Sequence, residues 1–125
     1  MDQLKKLIIG ILILQISSCT FQKQRGIEVT VHNKSNDLLV DVVISTSEYL
    51  DSIKIGTIIS QETVNGFLIT DQSKKDGSYN LSFKRNGMNR EAWSSGYYTN
   101  GYPSNEHILI EIENDTTIIA FDPDS

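Results

Sequence analysis

Only one cysteine occurs in the 125 residues. That excludes an intramolecular disulfide, a paired-thiol redox site and a cysteine-rich metal centre. Positive charge is also scarce: 11 lysines and arginines stand against 16 acids, a formal net charge of -5. Phosphate binding needs concentrated positive charge, so this balance speaks against a nucleic-acid partner, and none is expected. No apolar run approaches the 20 or so residues that a membrane-crossing helix requires. The chain has length for one small domain and no second core.

The longest greasy stretch lies at the start. Lys5 and Lys6 precede Leu7-Ile8-Ile9-Gly10-Ile11-Leu12-Ile13-Leu14, and Gln15-Ile16-Ser17-Ser18-Cys19 follows. Charged, then apolar, then small is the layout of a secretory signal. Without residues 1–18, nine basic and fifteen acidic residues remain, so the exported part is more acidic still.

Ile16-Ser17-Ser18-Cys19 resembles the lipobox of bacterial lipoproteins, a branched apolar residue and two small ones before the lipidated cysteine. The resemblance implies that a diacylglycerol joins the Cys19 sulfur, that residues 1–18 are cleaved away, and that the new amino group receives a further palmitate-like chain. Several acyl chains hold a protein firmly where one is marginal, at roughly 0.8 kcal/mol per buried methylene. Thr20 follows the cysteine where enterobacterial lipoproteins retained in the inner membrane carry aspartate, and the tail to Gly26 is basic where surface-exported lipoproteins of the Bacteroidota are acidic. By that analogy the protein sits on the outer membrane and faces the periplasm, with residues 19–26 as a lipidated tether.

From Ile27 to Ser125 the apolar residues recur with period two, and β-branched residues abound. Ile27, Val29 and Val31 alternate with Glu28, Thr30 and His32; Leu38, Val40, Val42 and Ile44 are expected to share a face; Ile53 to Ile59 and Val64 to Ile69 follow. Asp76-Gly77 announces Tyr79, Leu81 and Phe83, and Asn114-Asp115 joins His107–Glu113 to Thr116–Phe121, with Ile110 facing Ile119 and Ile108 facing Phe121. About seven short strands and no periodic helix predict an all-β fold, a small antiparallel two-sheet β-sandwich, immunoglobulin-like or related. The expected core is Val29, Val31, Val40, Val42, Ile55, Leu81, Phe83, Ile108, Ile110 and Ile119, with Trp93 plugging one end.

Chemistry-bearing patterns are sparse. His32 and His107, with Glu111 or Asp122, lack zinc-binding spacing, and a surface pair of His107 with Asp122 accounts for both residues. The acids Glu111, Glu113, Asp115, Asp122 and Asp124 lack the calcium-loop pattern. No nucleophile elbow occurs, so no catalytic residue, metal or cofactor is expected. The stretch Glu91–Pro103, "EAWSSGYYTNGYP", concentrates Trp93, Tyr97, Tyr98 and Tyr102 among small polar residues, a composition suited to a binding loop. Lys84, Arg85 and Arg90 flank it and suit an anionic group.

The expectation is a noncatalytic, membrane-anchored domain that binds an envelope protein, as an accessory subunit or an inhibitor- or immunity-like protein. The alternatives are a glycan-binding module using the Trp93–Tyr102 segment and a small envelope hydrolase.

Overall fold

The structure, a computed structural model, describes residues 24–122. The expected signal peptide of residues 1–18, Cys19, most of the expected tether and the last three residues lie outside the described part. Nine strands form two sheets, with no helix among the described residues: β1 Gly26–Asn33, β2 Leu39–Thr46, β3 Ser52–Ile58, β4 Thr63–Ile69, β5 Gly77–Arg85, β6 Arg90–Thr99, β7 Tyr102–Pro103, β8 His107–Ile112 and β9 Thr117–Phe121. The sheets run β4-β1-β8-β9 and β3-β2-β5-β6-β7. The expected sandwich is therefore present, with one departure from an antiparallel arrangement: β1 and β8 pair in parallel, Val29 beside Ile108 and Val31 beside Ile110.

Alternation produces the core. Ile27, Val29 and Val31 of β1, Leu68 of β4 and Ile108, Ile110 and Ile112 of β8 face Leu39, Val42 and Ile44 of β2, Ile58 of β3, Tyr79, Leu81 and Phe83 of β5 and Tyr98 of β6, all buried. The β8–β9 hairpin has the expected register, with Ile110 opposite Ile119 and Ile108 opposite Phe121. Its Asn114-Asp115 turn is closed by the Glu113 amide donating to the Thr116 carbonyl at 2.9 Å.

Where a strand bulges, simple alternation misplaces residues. On β2 the register slips between Val40 and Val43, and Asp41 takes φ 51°. The extra residue reverses the phase, so Leu39, not Leu38 or Val40, points inward with Val42. A second slip, where Gly56 has φ 86°, leaves Ile55 half-buried, buries Ile58 and exposes Ile59. On β6, Tyr79 lies opposite Ser95 while Gly77 lies opposite Tyr98, three residues on. Gly96, φ 79°, is the bulged residue, and the Phe121 ring lies where its side chain would be.

Candidate functional site

The aromatic segment is chiefly strand β6, and the β6 bulge assigns its rings to different surroundings. Trp93 lies opposite Leu81 and so shares the inward face, but it remains 37% exposed on the rim of the sandwich and does not plug an end. Tyr98 is fully buried instead: its ring packs 5.6 Å from Tyr79, and its hydroxyl donates to Glu48 Oε1 at 3.2 Å. As a binding residue Tyr98 is thus corrected to a core residue. Tyr97 and Tyr102 are exposed, the first donating to Asp76 and the second lying under the Arg25 guanidinium, 4.6 Å from its ring centroid.

The basic residues do not join them. Arg85 turns in at the far end of the core, where its Nε donates to Glu91 at 2.7 Å and its guanidinium lies 5.4 Å from the Phe83 ring centroid; Asp37 is 3.6 Å away. Arg90 donates to Ser82 Oγ at 2.9 Å and pairs with Asp41. Lys84 faces Arg90 across the β5–β6 pair. Arg90 opens β6 and Thr99 ends it, so about 30 Å of strand separates the basic group from the tyrosine turn.

The structure does unite residues that the sequence keeps far apart. On the outer face of the first sheet, Thr30 of β1 places Oγ1 2.7 Å from Nε2 of His107 on β8, and His107 Nδ1 lies 3.2 Å from Asp122 Oδ2. Hydroxyl, imidazole and carboxylate stand in the order of a nucleophilic relay. Thr30 Oγ1 also donates to Asn65 Oδ1 at 2.7 Å, which ties up the hydroxyl. Because β1 is paired along both edges, by β4 and β8, its amides serve the ladder and cannot cluster around a developing oxyanion. The arrangement therefore braces strands β4, β1, β8 and β9. His32 sits four positions along β1 from the residue that pairs with His107, and no cluster of three metal-ligating side chains occurs among the described residues.

The feature best suited to recognition is the open side of the sandwich. β9 has no strand neighbour beyond β8 among the described residues, and β7 covers only the last two residues of β6. The Phe121 ring of β9 reaches across to Gly96 of β6, and its centroid lies 6.2 Å from that of Tyr79 on β5. The cavity there, lined by Ile44, Tyr79, Leu81, Ile110, Ile119 and Phe121 among others, holds only about 10 Å³. Recognition on this side of the sandwich would consequently involve the rim and edges rather than a deep cleft. β9, Thr117-Ile118-Ile119-Ala120-Phe121, has no charged residue, and Ile118 is 49% exposed on its outer face. Ala120 shares that face and lies opposite Leu109. Soluble proteins ordinarily guard such edges with charge, proline or a bulge. The uncharged run was visible in the sequence, but its position at an edge depends on long-range pairing.

No protein-family model and no curated protein matches the chain. Among solved structures, it is similar to an NMR structure of a protein from Eubacterium rectale, with a TM-score of 0.51 and 8% sequence identity over 81% of this chain and 91% of that one. The likeness shows the fold alone. Both chains form a sandwich of this general shape.

Proposed function

We propose that the protein is a noncatalytic lipoprotein of the bacterial envelope, held to the outer membrane through Cys19 and facing the periplasm, and that it binds a protein partner through the β9 edge. The observation that carries the reading is the uncharged edge strand β9, beside the unpaired part of β6 and the half-exposed Trp93. Such an edge offers a row of backbone donors and acceptors to an incoming strand, and Ile118, Ala120 and Leu109 offer it side-chain contacts. An accessory subunit and an inhibitor- or immunity-like protein would both use such a surface. The glycan reading is weakened by the burial of Tyr98 and the rim position of Trp93. The hydrolase reading is weakened by the shared Thr30 hydroxyl and the committed β1 amides.

The test is capture of partners from native envelope membranes by the full-length acylated protein, set against Ile118→Lys plus Ala120→Lys. Both side chains are exposed, so the variant should fold while charge blocks strand addition. Loss of one stoichiometric partner supports the reading. A partner retained at full yield moves the interface off this edge, and a partner lost instead in Tyr97→Ser plus Tyr102→Ser moves it to the β6–β7 turn.

A further inference from the structure

We infer that one end of the sandwich rests on the lipid surface, with Tyr49, Leu50 and Tyr102 entering the headgroup layer. This rests on the lipoprotein reading of Cys19 and goes beyond it by assigning an orientation. Strand β1 begins at Gly26, so the tether enters at the end formed by the starts of β1, β3, β5 and β8 and the turns that adjoin them. That end is tied together by hydrogen bonds. Arg25 donates to the carbonyls of Thr70 and Asp71, and the Thr70 hydroxyl donates to the Gly101 carbonyl at 2.7 Å. The buried Asp51 carboxylate accepts from the Gln72 and Ser73 amides and the Ser73 hydroxyl, while Glu48 accepts from the Lys75 amide.

From this braced end project three large exposed side chains, Tyr49, Leu50 and Tyr102, the last beneath Arg25. Tyr49 is 76% exposed, Leu50 55% and Tyr102 62%. Tyr49 also takes φ 59°, in a turn where its amide donates to the Thr46 carbonyl at 2.9 Å. A bulky residue rarely adopts that conformation, which glycine or asparagine would take more readily. The ring thus occupies a disfavoured backbone position and gains little burial inside the domain. Tyrosine beside leucine suits a membrane–water interface, where the ring sits among headgroups with its hydroxyl hydrated and the aliphatic side chain reaches deeper.

Charge is not the attraction. Lys74, Lys75 and Arg25 share the end with Glu48, Asp51, Asp71 and Asp76, so insertion rather than binding to anionic lipid must hold it. Chain length limits the orientation. From Cys19 to Gln24 the tether spans at most roughly 18 Å. The eight residues of β1 extend about 23 Å. The opposite end, where Ile59 and Met88 are exposed, therefore cannot face the membrane with the domain standing upright. Either the domain stands on the Tyr49–Tyr102 end, with the edges of β6 and β9 directed sideways, or it lies over.

The test uses full-length acylated protein on phosphatidylethanolamine–phosphatidylglycerol vesicles, with amide hydrogen exchange read by mass spectrometry and the N-terminal peptide checked for its acyl chains. The comparison is Cys19→Ser protein in buffer. Several-fold slowing confined to residues 47–51 and 99–104, with 59–62 and 86–89 unchanged, is the expected result. Tyr49→Gly plus Leu50→Ser should abolish the slowing without lowering the melting temperature, since glycine accepts the turn conformation. Three outcomes overturn the proposal: an acylated, vesicle-bound protein whose 47–51 segment exchanges as in buffer; slowing that appears only when another envelope protein is added; or slowing that survives the double substitution. An N-terminal peptide without acyl chains removes the lipoprotein reading itself, and this proposal with it.

Discussion

Exchanging Tyr79 for phenylalanine should stabilise the domain, whereas the same exchange at its neighbour Tyr98 should weaken it. Tyr79 is 4% exposed and its hydroxyl has no hydrogen-bond partner in the protein. The adjoining cavity of about 10 Å³ is largely apolar, at the lower limit for one water and poor in the two to four polar partners a water needs. An unpartnered buried hydroxyl costs about 1–3 kcal/mol, and phenylalanine retains the ring that packs on Tyr98 and Phe121. A gain of about 1 kcal/mol is expected, raising the melting temperature by roughly 4–8 °C for a domain this size. Tyr98→Phe instead removes the donor to Glu48 and should lose about 1 kcal/mol. Burial, reinforced by the neighbouring Tyr98 phenol, raises the Tyr79 phenol well above its ordinary value. The neutral phenol's contribution is therefore complete below the unfolded value of about 10 and is lost as pH rises from there toward the folded value. Tyr79→Phe should remove that part of the alkaline loss. Urea titrations at pH 7 and pH 11, with unchanged m-values, measure both effects. A Tyr79→Phe variant less stable than the wild type at pH 7 would refute the reasoning, because it would mean that the hydroxyl has a partner.

Three further outcomes can be read in the same denaturation assay. Asp51→Asn turns an acceptor of three hydrogen bonds into a side chain with donors of its own, and should lose about 2–3 kcal/mol and speed exchange of the Gln72 and Ser73 amides. Gly101→Ala should lose at least about 2 kcal/mol, because Gly101 has φ 79° and an added Cβ would collide with the Ser73 carbonyl. Asp41→Gly should leave stability within about 1 kcal/mol of the wild type, whereas Asp41→Val should lose more, since only the former tolerates φ 51° at the β2 bulge without strain.

Local pattern read well wherever a strand stayed regular. β1, β5 and the β8–β9 hairpin follow their alternation residue by residue, and the hairpin register came from turn length alone. The errors cluster at bulges. Asp41 carries no glycine to announce its positive φ, so Leu39 and Val40 exchange roles; Gly96 interrupts β6, and its bulge accompanies Tyr98 into the core while Trp93 stays at the rim. A glycine within an alternating run is a recognised bulge signal, and it was the available clue. Lys84, Arg85 and Arg90 flank the tyrosines in sequence but not in space, because residues at the two ends of a long strand are far apart.

By itself the sequence determined that the body is all-β, that it forms one acidic domain without disulfides, and where most strands lie, because period-two alternation, turn residues and composition act over a few residues at a time. Tertiary structure decided which strands became edges, that β1 and β8 run parallel, that Thr30, His107 and Asp122 meet, and that Tyr49 and Tyr102 project from the end at which β1 begins. Those outcomes depend on pairings between segments far apart in the chain, whose register is selected by burial of the whole core and cannot be read from any one of the strands.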